Sequence, residues 1–257
     1  MERLFIGAYW TARKETIHSA SVKIYNVLKA LTKIEPDLAR LKFTTTIKSV
    51  DRNFDLNDQE KDLVDKLSKG ILENKRSDIR RYYPGLTPTF DFHEPVGFVV
   101  SFEVVHIKKM QISIVIGDYS EAGAINNFLL KFPSEYNYDY LKIDSLFKCI
   151  VQDMEPNWGM VVTRKFLDEI SKQSPPELFI GWMNYFSSRQ VLQKIPSSIR
   201  IEDFRQGILT YTTASGEIFS SENKIHTGNA LEFIQNLRQS NINRDYFERS
   251  LNTNSIS

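Results

Sequence analysis

Leu4-Phe5-Ile6-Gly7-Ala8-Tyr9-Trp10 is an apolar, aromatic run of strand length. It passes through the polar stretch Thr11-Ala12-Arg13-Lys14-Glu15 to Thr16. Ile17, Ala20, Ile24, Val27, Leu28, Leu31 and Ile34 then recur at spacings of three and four, which places them on one face of a helix. Thr16 or Thr11 supplies the helix cap, and Pro36 ends the helix by removing a backbone donor. A helix with one apolar face needs a sheet to cover it, so this stretch predicts mixed α and β structure.

The sheet is legible downstream. Val96–Val105 and Gln111–Gly117 read as an antiparallel pair turning near Lys108-Lys109, and residues 124–132 read as a third strand. Leu41–Val50 reads as an edge strand or an extended loop. A second helix, capped by Asn57 or Asp55, carries the stripe Leu63, Val64, Leu67, Ile71 and Leu72, and residues 76–89 read as a loop. A third helix over residues 141–154 is expected to bury Leu141, Leu146, Ile150 and Val151. Short strands are expected at 160–163, at 177–186 around Gly181-Trp182, at 199–201 and at 207–213, with a short helix over 164–172. A last helix over 223–239 is expected to bury Ile225, Ala230, Leu231, Ile234 and Leu237. Strands mixed with helices, without strict βαβ alternation, give an α+β class: a central, mainly antiparallel sheet flanked by amphipathic helices. With no Gly/Ser linker and no repeat, residues 1–243 read as one domain, with two lobes meeting near 135. Residues 244–257 read as a polar tail.

Composition narrows the function classes. The chain has 257 residues, 41% hydrophobic and 25% charged, which is globular composition rather than disordered or membrane-spanning. The N-terminus lacks the pattern of a signal peptide, and Cys149 is the single cysteine, so a cytoplasmic location is expected. Cys149 falls in an apolar helical stretch and reads as a buried, inert thiol. The net charge of +1 gives no electrostatic reason to expect a nucleic-acid or membrane partner. The local balance differs, because residues 51–65 hold six acids against two bases, a charge of −4. A solvated helix face explains such a run, and so does an acidic patch facing a basic partner.

No nucleotide-binding, nucleophile-elbow or zinc motif occurs, so no cofactor, metal or catalytic residue is predicted. His18, His93, His106 and His226 are scattered and read as loop or surface residues. Glu73-Asn74-Lys75 and Glu222-Asn223-Lys224 have the E-x-K spacing by which some Mg-dependent nucleases hold a metal and an attacking water. That arrangement needs a strand, whereas one copy lies at a helix end and the other at a helix start. A divergent nuclease and a structural adaptor of a secretion system are the alternatives to a binding protein. Trp158 and Trp182, each beside glycine, read as core side chains, while Trp10 with Arg13 reads equally as core or as a partner hot spot.

The opening Gly7-Ala8-Tyr9-Trp10-x-x-Arg13-x-Glu15, together with Asn157-Trp158-Gly159, Gly181-Trp182-Met183-x-Tyr185 and the strand, turn and helix around His226, resembles the immunity protein 52 family of bacterial polymorphic toxin systems. The family usually has glycine where this chain has Thr11. The resemblance implies a non-enzymatic antitoxin that binds a cognate toxin, a nuclease of restriction-endonuclease-like fold often delivered by type VI secretion. Tyr9, Trp10, Arg13, Glu15, Trp158, Gly159, Gly181, Trp182 and Tyr185 are then structural residues of the motif. The toxin contact is expected on the acidic second helix, at Asp55, Asp58, Glu60 and Asp62, and on the loop around Asp91 and Glu94. Charge there serves encounter rate and specificity.

Overall fold

The computed structural model describes residues 2–44, 51–82, 85–120, 126–173 and 178–242. In chain order the regular elements are β1 (Leu4–Trp10), α1 (Ile17–Thr32), β2 (Arg40–Phe43), β3 (Asn53–Asp55), α2 (Glu60–Tyr82), β4 (Val96–Val104), β5 (Gln111–Asp118) and β6 (Asn126–Lys131). They continue with α3 (Tyr140–Met154), β7 (Trp158–Thr163), α4 (Arg164–Gln173), β8 (Met183–Phe186), β9 (Arg200–Phe204), β10 (Gly207–Tyr211) and α5 (Lys224–Gln239). Short 3-10 helices occupy Pro36–Ala39 and Arg189–Lys194. The class is α+β, with antiparallel ladders and flanking helices. The chain divides into two compact units, residues 10–130 and residues 1–9 with the chain from 131 onward.

In the unit of residues 10–130 the strands run in the order β3-β2-β4-β5-β6. Val100 pairs with Ile114 and Phe102 with Ile112, so the alternating pattern of β4 and β5 turns Phe98, Val100, Phe102, Ile112, Ile114 and Ile116 to one buried face. The predicted stripe of α1 is buried from Ile17 to Leu31, as is the α2 stripe from Leu63 to Leu72. Phe43, Phe54 and Phe102 form an aromatic cluster beneath them, with ring centroids 4.9 to 5.9 Å apart.

In the other unit the order is β1-β7-β8-β10-β9. Every residue of β7, β8 and β10 is buried, because helices cover both faces of those strands. Phe147 of α3 lies against Gly159, and Phe186 meets Phe233 of α5 edge-on.

Several expectations change. α2 continues through Tyr82, where a loop was expected from residue 76, since no proline or glycine occurs between residue 76 and Pro84. The strand at Gly181-Trp182 begins only at Met183. Asp55 ends β3 rather than capping α2, its carboxylate accepting the Asn57 N–H at 3.0 Å. Leu141 and Ile225 are each 72% exposed; the inward stripes are Tyr140, Ile143, Leu146, Phe147, Ile150, Val151 and Met154 on α3, and His226, Ala230, Phe233, Ile234 and Leu237 on α5. Both exposed residues sit in the first turn, where a single position decides which side of the apolar arc a residue takes. Leu231 and Cys149 are half-buried rather than buried. The Thr-rich stretch 45–50, Pro175-Pro176 and the polar tail lie outside the described residues.

Candidate partner-binding surface

The turn after β1 is stitched by short-range polar contacts. Thr16 caps α1 in extended conformation: its hydroxyl accepts the Ser19 N–H at 2.9 Å, and Ser19 Oγ accepts the Thr16 N–H at 2.9 Å. Ser19 Oγ also donates to Glu15 at 2.7 Å, and Lys23 forms an ion pair with the same buried carboxylate. The Arg13 N–H donates to the Asp118 carbonyl at 3.1 Å, and its guanidinium lies 5.9 Å from the Trp10 ring. Fully buried Asn126 accepts the Asp118 N–H at 2.8 Å and donates to the carbonyls of Thr11 and Asp118, both at 2.9 Å. Thr11 does not carry a positive φ, so this turn has no need of the glycine found elsewhere. Sequence reasoning missed Asn126, because its partners lie up to 115 residues away.

The remaining motif residues are in the core of the other unit. Tyr9 stacks on Trp158, its partner across the β1–β7 ladder, and burial pushes the Tyr9 phenol up to about 12. Trp182 Nε1 donates to Thr213 Oγ1 at 2.9 Å, and Tyr185 is buried. A Cβ on Gly181 would stand 2.1 Å from the Val161 carbonyl oxygen, and one on Gly159 would stand 3.0 Å from the Phe147 ring.

The structure sorts the acids proposed for partner contact into two sets. Asp55 pairs with Arg40 at 3.2 Å; the Asn57 N–H first, and Arg40 second, hold its carboxyl below the usual aspartate range. Glu94 is buried and forms an ion pair with Lys75 of α2, which withdraws it from the surface. Asp58, Glu60, Asp62 and Asp91 are exposed, with no ion pair among the described residues. Glu60 and Asp62 stand in the first turn of α2, where carboxylates also favour the helix dipole. The set is not one patch. The His18 N–H at the start of α1 donates to the Phe90 carbonyl, whereas Lys29 near its end donates to the Leu56 carbonyl. The eleven helical steps from His18 to Lys29 span about 16 Å at 1.5 Å per residue. Asp91 therefore lies at one end of α1 and Asp58 at the other.

Residues 85–95, which link α2 to β4, are tied down along their length. Besides the His18–Phe90 and Lys75–Glu94 contacts, His93 Nδ1 donates to the Glu15 carbonyl at 3.1 Å. The Phe92 N–H reaches the Thr89 carbonyl at 3.0 Å, and the Tyr119 N–H reaches that of Pro95 at 2.8 Å.

A second charged cluster ties α3 to β9 and β10. Tyr211 donates to Asp144 at 2.8 Å and lies 3.1 Å from Glu202, while Lys148 bridges the same carboxylates at 3.0 and 2.8 Å. The Arg200 guanidinium lies 3.6 Å from the centre of the Tyr211 ring and donates to Tyr140 Oη. Burial, and then Asp144, push the Tyr211 phenol far upward. Burial would raise Glu202 as well, yet hydrogen bonds from Lys148 and Tyr211 hold it below the usual range. Two acids balance two bases, so the cluster is electrically closed and fastens a helix to the sheet.

Neither E-x-K copy assembles a metal site. On α2, Glu73 pairs with Arg76, and Lys75 pairs with Glu94 of the segment before β4; Glu222 pairs with Lys165 at 2.8 Å, and Asn223 caps α5. Among the described residues no three His, Cys, Asp or Glu side chains gather as metal ligands, and no helix is long and apolar enough to cross a membrane. His226, expected at the surface, is buried instead. The Ser220 N–H donates to its Nδ1 at 3.1 Å, which leaves Nε2 as the donor toward Glu217 at 3.1 Å.

Residues 141–244 match the model of the immunity protein 52 family. This is the family that the tryptophan motifs resemble, and the match contains Trp158, Gly159, Gly181, Trp182, Tyr185 and His226. It also contains most of the α3–β9–β10 ion cluster, from Asp144 to Tyr211. Tyr9, Trp10, Arg13 and Glu15 precede the matched residues, as does the whole unit of residues 10–130. Among solved structures, the Pseudomonas aeruginosa T6SS protein PA0821 has a similar fold, with 11% identity and a TM-score of 0.54 over 92% of this chain and 73% of that one. No curated protein matches the chain.

Proposed function

We propose that this chain is an immunity protein that neutralises a cognate nuclease-type effector toxin by tight, direct, stoichiometric binding. The observation that carries the reading is the immunity protein 52 match over residues 141–244. The fold likeness to a T6SS protein is in keeping with a type VI delivery route for the toxin. Acting on a nuclease places the chain in the cytoplasm of the toxin producer and its kin, as one immunity domain.

Physical chemistry selects the mode of inhibition. A chain of net charge +1 is a poor global mimic of DNA, so the contact rests on shape with local charge. The exposed carboxylates of Asp58, Glu60, Asp62 and Asp91 supply that charge against a basic nuclease cleft. The nuclease alternative has less support, because each E-x-K glutamate already has its own cationic partner. Co-expression with a candidate nuclease toxin tests the proposal. Restored growth with a co-purifying complex is the expected result. Continued killing with no complex overturns it.

A further inference from the structure

We infer that His226 is a proton-operated latch on residues 217–222, within the connection from β10 to α5. This device is independent of the immunity reading. The His226 ring is 3% exposed and stands in the first turn of α5. Its Nδ1 accepts the Ser220 N–H at 3.1 Å, so that nitrogen carries no proton in this arrangement. Nε2 then bears the proton and donates to Glu217 Oε1 at 3.1 Å. Asn223 Nδ2 lies 3.2 Å from the same Nε2 and makes no bond to that N–H. Asn223 is held instead through Oδ1, which accepts the Ile225 and His226 N–H groups. The folded segment is thus built on one neutral tautomer.

A second proton on the ring has opposite effects at its two nitrogens. Imidazole changes charge near neutral pH, and both ring nitrogens of the charged form are donors. At Nε2 the contact with Glu217 becomes an ion pair, so the ring stays in place. At Nδ1 a proton taken up from water faces the Ser220 N–H, two donors with no acceptor between them, and that bond is lost. His93 shows the contrast. Its Nδ1 donates to the Glu15 carbonyl, a bond that protonation leaves intact.

The lost bond sits where three consecutive residues tie three elements together. Ser220 is held by His226 of α5, the Ser221 N–H donates to Glu2 Oε1 at 3.0 Å just ahead of β1, and Glu222 pairs with Lys165 of α4 at 2.8 Å. Glu217, Glu2, Glu222 and Lys165 are therefore the charged groups that meet the segment from its own loop, from β1 and from α4. The Lys165 hydrogen bond holds the Glu222 carboxyl below the usual range. Carboxylates and ammonium groups keep their charge where imidazole titrates, so the ring is the group that changes. Phe219 is buried and packs on Phe166 of α4 and on the His226 ring, which keeps the residue before Ser220 in place. Opening is confined to the turn at Ser220 and Ser221, and α5 remains folded.

Nuclear magnetic resonance on the full, isotopically labelled chain tests the latch from about pH 8 down to about pH 5, the interval in which histidines titrate. At the upper end the ring should show a bare Nδ1 and a protonated Nε2. As pH falls, the Ser220 amide proton should lose its hydrogen-bonded shift along the same curve as the His226 ring. Its exchange protection should drop by about 5-fold, the loss of one hydrogen bond. The amides of Ala230, Phe233 and Leu237 should not move. His226→Asn keeps an acceptor near the Nδ1 position and cannot titrate, so its Ser220 amide should be insensitive to pH. Glu217→Gln removes the counter-charge of the protonated ring, so the coupled transition should move to lower pH; this variant also serves if His226→Asn does not fold. A protonated Nδ1 at the upper end, a ring that stays neutral throughout, or a ring titration that leaves Ser220 unmoved overturns the latch. So does simultaneous loss of the α5 amides, which marks acid unfolding of the whole unit.

Discussion

Tyr9 lies flat on Trp158, with ring centroids 4.6 Å apart and planes 12° from parallel. The two are direct partners across the β1–β7 ladder, and the Tyr9 hydroxyl reaches back over Gly7, where a Cβ would meet it at 2.7 Å. Two motif segments some 150 residues apart in sequence thus form one packing unit. Trp158→Ala should cost about 3–5 kcal/mol in denaturant unfolding, the range for a large aromatic truncated in a core. A double-mutant cycle with Tyr9→Leu should assign about 0.5–1.5 kcal/mol to the stack itself.

The same tyrosine sets an alkaline limit. Its phenol is raised to about 12 by burial, above the ordinary tyrosine value. A raised value means that the neutral form is favoured by folding. Its contribution is complete below the unfolded value and is lost as pH rises toward 12. Tyr9→Phe should therefore lose less stability than wild type between neutral and strongly alkaline pH, as read by urea melts. Equal losses in the two proteins would refute this.

Gly181 is required by backbone proximity rather than by its dihedral angles. The Val161 carbonyl that a Cβ would strike is also the acceptor of the Trp182 N–H at 2.7 Å, so it cannot withdraw without losing that bond. Gly181→Ala should cost at least about 2 kcal/mol, from overpacking together with the lost bond. A thermal midpoint equal to wild type would contradict the geometry.

The exposed acids just before and within the first turn of α2 should act on encounter rather than on stability. Asp58→Lys, Glu60→Lys and Asp62→Lys together are expected to slow toxin association by about tenfold at low salt, with little change in dissociation. The difference should shrink as salt screens the field. Identical association rates at low salt would remove this helix from the interface. The Asp91→Lys variant tests the far end of α1 separately.

Tyr211→Phe tests the cluster at the other end of the chain. It removes the hydroxyl that Asp144 and Glu202 share, and because both carboxylates keep Lys148 the cost should be that of an ordinary hydrogen bond, about 0.5–1.5 kcal/mol. Stability should fall while protection against the toxin in co-expression persists. Loss of toxin binding in a fully folded variant would instead make the cluster part of the interface.

The sequence by itself determined whatever repeats over a few residues. The stripes of α1 and α2 follow the 3.6-residue period, and the buried side of β4 and β5 follows the two-residue period, so local order alone names those core positions. The tryptophan–glycine segments were legible as core for a similar reason, since glycine beside a large ring signals close backbone approach. Helix ends were less legible. Leu141 and Ile225 are apolar, yet they lie just off the buried arc, and the packing partner, not the residue, sets where that arc stops.

Only the tertiary structure decided which charges are spent. Asp55, Glu94 and Glu222 look like Asp58, Glu60 and Asp62 in sequence, but Arg40, Lys75 and Lys165 neutralise the first three across separations of 15 to 57 residues. Ion pairing depends on distance in space, which composition does not encode. The same holds for the opening motif. Its Glu15 carbonyl and the helix start behind it hold His93 and Phe90, so a segment read as a family signature is also the mount for an exposed loop 75 residues further along.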